Sequence, residues 1–147
     1  MIIDSHCHLE YEPMSLTLND TIERANKNGV KYLLTISTTD KSIEKILKIT
    51  DDFDCVYGTY GIHPHEAKNH KNIKSKDIIK KINLSKKIIG IGETGLDFYY
   101  NHSEKKDQIE SLEEHIDSAQ TLNIPLIVHT RSAEKETLDI LKRRKIE

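Results

Sequence analysis

Residues 87–93 read Lys-Ile-Ile-Gly-Ile-Gly-Glu, a short apolar run that ends in a carboxylate. Such runs are typical of strands that are buried on both faces of a parallel sheet. A second run, residues 124–128 (Ile-Pro-Leu-Ile-Val), is followed directly by His129. A third, residues 1–3 (Met-Ile-Ile), stands shortly before His6 and His8. Three predicted strands therefore end in residue types that bind metal ions.

His6 and His8 form a potential chelating pair at the end of the first predicted strand. Side chains two residues apart on a strand point to the same face, so the two imidazoles lie together while Cys7 faces away. Neutral imidazole is a common ligand for zinc and related divalent ions. Alternatively, Glu93 and His129 are only the first polar residues where buried strands reach water. The agreement of all three strand ends favours a shared metal site.

The rest of the chain alternates between predicted strands and predicted helices. Further strands are predicted at residues 31–37 and 54–59, and amphipathic helices at residues 17–28, 40–50, 75–82, 103–122 and 133–144. Five β-then-α units with near-continuous apolar strands predict an α/β protein with parallel strands and helices outside them. An open doubly wound sheet and a closed barrel both have this pattern. We favour a partial TIM-type (β/α) barrel, with five parallel strands of an eight-strand pattern, because a barrel brings its strand ends around a common mouth.

Composition indicates a single domain over residues 1–147, with no stretch rich in Pro, Gly or Ser to divide it. Hydrophobic residues make up 36% of the chain and charged residues 31%, and no apolar run approaches the roughly 20 residues that span a bilayer. The only two cysteines suit a reducing compartment, so we expect a cytoplasmic protein without a membrane partner. A net charge of −2 argues against a protein that coats nucleic acid nonspecifically.

Four blocks of sequence together carry a family resemblance. They are residues 4–9 (Asp-Ser-His-Cys-His-Leu), 61–65 (Gly-Ile-His-Pro-His), 92–100 (Gly-Glu-Thr-Gly-Leu-Asp-Phe-Tyr-Tyr) and 128–131 (Val-His-Thr-Arg). In this order and spacing the chain resembles the TatD family of metal-dependent deoxyribonucleases. The resemblance implies an amidohydrolase-type barrel that hydrolyses phosphodiester bonds of DNA with two divalent metal ions. By motif, His6 and His8 hold one ion, the catalytic Glu93 bridges both, and His129 holds the second.

The chain also departs from that family. Its members continue for three more β/α units, which supply a further metal-binding histidine and a late aspartate. We therefore expect an incomplete domain, cut after the fifth β/α unit, that binds metal weakly by itself and does not turn over DNA. A second polypeptide that supplies the missing barrel strands would restore an active deoxyribonuclease. Two other hypotheses are a noncatalytic fragment of a split or decayed gene, and an amide or cyclic-amide hydrolase on the same barrel.

Three further residues are candidates for roles around the metal ions. Arg131 is predicted to fall on the same side as His129, where its guanidinium either clamps a phosphate or pairs with Glu134 on the surface. His63, in the loop after the third strand, is a candidate phosphate contact. Asp97 either holds a ligand histidine in the correct tautomer or shapes the turn that follows.

The remaining histidines are expected to be solvated. We expect His65 to be exposed, and His115 to lie on a solvent-facing side of its helix beside Glu113 and Glu114. The identity of the metal stays open among zinc, magnesium and manganese, because imidazole and carboxylate ligands accept all three to some degree.

Overall fold

The computed structural model describes residues 1–146 and contains one parallel sheet of five strands in the order β1-β2-β3-β4-β5. The strands are β1 (Ile2–Cys7), β2 (Val30–Thr35), β3 (Val56–Tyr60), β4 (Ile88–Asp97) and β5 (Leu126–Arg131). One α-helix follows each strand, namely α1 (Leu18–Lys27), α2 (Ser42–Asp52), α3 (Ser75–Ile82), α4 (Lys105–Leu122) and α5 (Glu134–Arg143). Short 3₁₀ helices occur at Met14–Leu16 and Pro64–Asn69. The predicted alternation of five parallel strands with helices is confirmed.

The core lies between the sheet and its helices. Ile46 of α2 and Ile78 of α3 pack with Ile88 and Ile91 of β4, and all four side chains are buried. Apolar side chains on the opposite face of the sheet, Ile3, Tyr32 and Ile89, are exposed and line a shared groove. The sheet is therefore covered on its helical face and open on the other within the described residues.

Strands β4 and β5 extend further than their apolar runs. Backbone pairing continues from Thr94 with Val128 to Asp97 with Arg131, so Glu93 and His129 lie within strands rather than at their ends. Gly95 has φ +141° in this segment, and a side chain there would collide with the backbone of His129. Pairing between neighbouring strands, and not hydrophobicity alone, sets where these strands stop.

Candidate metal centre

The β1 end presents two imidazoles towards the mouth of the sheet. His6 and His8 lie with their ring centroids 5.4 Å apart, and His6 Nε2 is 3.4 Å from Glu93 Oε2. His8 Nδ1 is 3.0 Å from the carbonyl oxygen of Ile36, an acceptor that requires the proton on Nδ1. The ring therefore keeps a lone pair on Nε2 for a ligand. Cys7 turns the other way, where burial raises the pKa of its thiol to about 12.

Glu93 stands between two groups of imidazoles. Its Oε2 faces His6, whereas its Oε1 is 3.1 Å from His129 Nδ1. Burial alone would raise the pKa of Glu93, but the hydrogen bond with His129 and the nearby rings of His63 and His6 outweigh it and hold the pKa below its ordinary value. The carboxylate is therefore charged, with one oxygen directed to each group.

Asp97 fixes the His129 ring from behind. Its Oδ2 is 3.2 Å from His129 Nε2, and the carboxylate is fully buried. Its Oδ1 accepts hydrogen bonds from the backbone N–H groups of Tyr99 and Tyr100, at 3.1 and 2.9 Å. Burial would raise the pKa of Asp97, but the Tyr100 N–H and the bonds from His65 and His129 lower it to about 2. Asp97 thus contacts His129 and also shapes the turn, which combines the two alternatives weighed from sequence.

His63 lies beside Glu93 and His129, with ligand atoms of all three within 4.8 Å of one another. Its Nδ1 accepts a hydrogen bond from the backbone N–H of His65 at 3.2 Å. Burial lowers the pKa of His63 to about 4. The neutral ring therefore carries its proton on Nε2.

The expectation that His65 is exposed is wrong. Its ring is partly buried, and its Nε2 is 2.9 Å from Asp97 Oδ2. The 3₁₀ helix Pro64–Asn69 folds the ring back towards β4, and Ser103 Oγ donates to the carbonyl oxygen of His65 at 2.8 Å. No local pattern could reveal this, because the contact joins residues 32 positions apart in the chain.

Arg131 continues the line of β5 beyond His129. Its Nη1 is 3.9 Å from Asp97 Oδ2, and its guanidinium carbon is 5.2 Å from the centre of the Tyr100 ring. Within the described residues its ion pair is with Asp97 and not with Glu134. About half of the side chain stays exposed.

The expectation that His115 is solvated is also wrong. The side chain is 1% exposed, its Nε2 accepts from the backbone N–H of Ile62 at 3.0 Å, and its Nδ1 donates to the carbonyl oxygen of Ser111 at 2.7 Å. Burial lowers its pKa to about 4. Its spacing from Leu112 and Ala119 places it on the buried stripe of α4, a signal that was present in the sequence. Through Ile62 it anchors the loop that carries His63.

Glu10 is a residue near the centre that sequence reasoning missed. Its carboxylate is 1% exposed, accepts from Thr35 Oγ1 at 2.7 Å and lies 3.3 Å from His8 Nδ1. Its position two residues after His8 was the available signal.

The two shortest contacts of Glu93 with ring nitrogens have the spacing of ligand atoms on one divalent ion. Ligand atoms on one ion, with bonds of about 2.0–2.2 Å, stand roughly 3.0–3.5 Å apart. The two contacts of Glu93, at 3.4 Å to His6 and 3.1 Å to His129, fall in this range. Two clusters, His6-His8-Glu93 and His63-Glu93-His129, share the one carboxylate. The residues present therefore fit divalent metal ions on either side of Glu93, with His6, His8 and Glu93 on the β1 side and Glu93 with His129 on the β5 side, since neither ring nitrogen of His63 has a free lone pair.

Comparison with known sequences gives a consistent family match. The sequence model described as TatD related DNase matches residues 3–147. A metal-dependent hydrolase from Buchnera aphidicola (subspecies Baizongia pistaciae) is 38% identical over 144 residues, which cover 96% of this chain and 54% of the relative. The human deoxyribonuclease TATDN3 is 30% identical over 153 residues, covering 96% of this chain and 56% of its own. The chain thus spans about half the length of the curated relatives it matches.

Solved structures agree on the fold. The TatD homologue YjjV from Escherichia coli superposes with a TM-score of 0.91 at 24% identity, over 99% of this chain and 56% of its own. A TatD family hydrolase from Entamoeba histolytica gives a TM-score of 0.88 at 18% identity, over 98% and 54% of the two chains. The predicted partial (β/α) barrel is confirmed. Among the described residues, no helix is both long and apolar enough to span a bilayer.

Proposed function

The chain belongs to the TatD-related DNase family of metal-dependent hydrolases, and on that premise we propose that it contributes a two-metal site to the hydrolysis of DNA phosphodiester bonds. One observation carries the proposal, namely that the two oxygens of Glu93 face separate imidazole groups, His6 with His8 and His63 with His129. A carboxylate suits the shared position because its negative charge offsets the repulsion between two cations.

Each ligand has a proposed place. His6 and His8 would hold one ion, His129 would hold the other, and Glu93 would serve both as the catalytic carboxylate. Two divalent ions held there would supply Lewis-acid chemistry, polarising a phosphodiester and making water more acidic. Zinc, manganese and magnesium all suit this donor set, magnesium least, because it prefers oxygen ligands and retains water.

In this proposal His63 contacts the phosphate of the substrate and does not bind a metal ion. A metal-binding ring nitrogen needs a free lone pair, and the bond from His65 N–H to Nδ1 of His63 requires the neutral ring to carry its proton on Nε2. That N–H is a donor for a phosphate oxygen. The ring of His63 has one nitrogen within 4.8 Å of ligand atoms of Glu93 and His129, which supports a role at the same centre.

Arg131 supplies the second proposed phosphate contact. Its guanidinium is restrained by Asp97 on one side and by the Tyr100 ring on the other, and half of it remains exposed. A planar, always charged fork held in place is suited to bidentate binding of a phosphate. Asp97 also contacts His129, so one carboxylate restrains both the Arg131 guanidinium and the His129 ring.

The open face of the sheet is an argument for a further polypeptide segment that covers it in the active enzyme. Ile3, Tyr32 and Ile89 present apolar side chains to solvent, and the inner side chains of barrels are normally covered. The segment is either more of the same protein or a separate chain, equivalent to the half of the relatives that this sequence does not match. A cytoplasmic location stays a prediction, supported by the two free thiols.

DNA cleavage tests the proposal. The full chain is incubated with single- and double-stranded oligonucleotides and manganese, magnesium or zinc, alone and mixed with the unmatched half of the Buchnera relative. We expect chelator-sensitive cleavage by the mixture and almost none by the chain alone. Cleavage by the chain alone would disprove the proposal that it needs a further polypeptide segment for activity. Hydrolysis of cyclic amides without DNA cleavage would move the assignment to amide chemistry, and inactivity on both would indicate a noncatalytic fragment.

A further inference from the structure

Glu10 is a buried carboxylate that the proposed reaction does not use. It lies in the turn that follows β1, with 1% of its surface exposed. A carboxylate in this position must lose most of its hydration, which is unfavourable unless a positive group or strong donors replace the water. The partners that replace that water indicate what the residue does.

Thr35 of β2 holds one oxygen of Glu10. The Thr35 hydroxyl accepts from the backbone N–H of Leu9 at 3.0 Å and donates to Glu10 Oε2 at 2.7 Å. The single O–H of Thr35 is directed to Glu10, while its oxygen accepts from Leu9. Glu10 is thereby oriented with its other oxygen, Oε1, towards His8 Nδ1 at 3.3 Å.

Among the described residues, no lysine or arginine forms an ion pair with Glu10. Its contact with a titratable group is with His8 Nδ1. The carbonyl oxygen of Ile36 is a second acceptor for the same Nδ1 proton. A purely structural contact would be made at lower desolvation cost by a neutral amide. Glu10 and the Ile36 carbonyl both contact Nδ1, so the Nε2 side of the His8 ring is the side left for a metal ion.

We propose that Glu10 is a positioning residue that locks the His8 ring and strengthens its Nε2 as a metal ligand, with Thr35 holding Glu10 in place. A carboxylate behind a ligand histidine fixes the ring and raises its basicity. The inference rests on the proposed metal site at His6 and His8, and it assigns a role to two residues outside the ligand set.

Site-resolved zinc binding tests this inference. The ring nitrogens of His8 and His129 are followed by nuclear magnetic resonance while zinc alone is added to the full chain. In Glu10→Gln we expect the zinc affinity read at His8 to fall roughly tenfold or more, while that read at His129 changes less than about threefold. The exposed Glu44→Gln is the matched control and should match the parent chain at both rings.

Variants of Thr35 test the same inference independently if Glu10→Gln folds poorly. Thr35→Val removes the hydroxyl and should weaken zinc binding at His8, whereas Thr35→Ser keeps the hydroxyl and should restore it. Unchanged affinity at His8 in both Glu10→Gln and Thr35→Val would overturn the role of Glu10. So would an equal loss at His8 and His129, or a parent chain that binds no zinc at His8. Normal zinc binding by the chain, with no DNA cleavage by its mixture with the unmatched half of the Buchnera relative, would instead overturn only the proposed substrate.

Discussion

The two sides of Glu93 differ in how far they are enclosed. The β1 side, His6 and His8, is open to solvent, with 44% of the His6 side chain exposed. The β5 side, His129 with Asp97 and His63, is closed, with 15% of the His129 side chain exposed and none of Asp97. His129 is held between two carboxylates, whereas His6 has only Glu93 among the described residues. The comparison teaches that ligands of one proposed centre can be oriented to very different degrees, which predicts that His129 contributes more to metal affinity than His6.

Glu93→Gln should have the largest effect because both sides depend on this carboxylate. Loss of its charge removes a ligand from each ion and leaves the cations without compensation. We expect zinc affinity to fall more than about a hundredfold on both sides, measured by calorimetry against Glu44→Gln. If one side kept its affinity, Glu93 would not be shared.

His129→Ala and His6→Ala sharpen the contrast between the two sides. The enclosed ring is already oriented, so its contribution is not reduced by the cost of ordering a mobile side chain. Removal of His129 should therefore weaken total zinc binding roughly tenfold more than removal of His6. Equal losses in the two variants, with unchanged thermal unfolding of the metal-free proteins, would contradict the difference inferred from exposure.

The pH dependence of the free energy of unfolding tests His115, which anchors the loop that carries His63 on the β5 side. His115 has a pKa of about 4 when folded, below its ordinary value of 6.5, because it is buried. The unfolded chain therefore binds more protons between these values, so stability is lost as the pH falls through this window. Between pH 7 and pH 5.5 the free energy of unfolding should decrease by about 1 kcal/mol from this residue.

Urea unfolding at several pH values measures this contribution. His115→Gln should lack it and show a flatter pH profile, while the exposed His102→Gln should retain the slope of the parent chain. Identical slopes in the parent chain and His115→Gln would show that His115 does not couple protonation to folding. This is the smallest of the expected effects, since His115 acts on the closed side only through Ile62.

Sequence reasoning worked best where a residue's role follows from its own strand or helix. The apolar runs before Glu93 and His129 predicted buried parallel strands, and His6 with His8 suggested a chelating pair before any relative was considered. It failed for His65, which appeared to be a surface residue of a polar loop. It also overlooked Glu10, although its position two residues after His8 was a usable signal. It placed His115 in solvent, although the spacing from Leu112 puts it on the buried side of α4.

The sequence by itself determined the alternation of five strands and helices, the parallel pairing, and which residues stand at the mouth. These features follow from local periodicity and burial, which each segment carries within itself. Only the tertiary structure decided that Glu93 divides its oxygens between two groups, that Asp97 joins His65 to His129, and that Thr35 orients Glu10. Hydrogen bonds act over about 3 Å, so partners that lie some 25 to 90 residues apart in the chain are fixed only when the sheet brings their strands together.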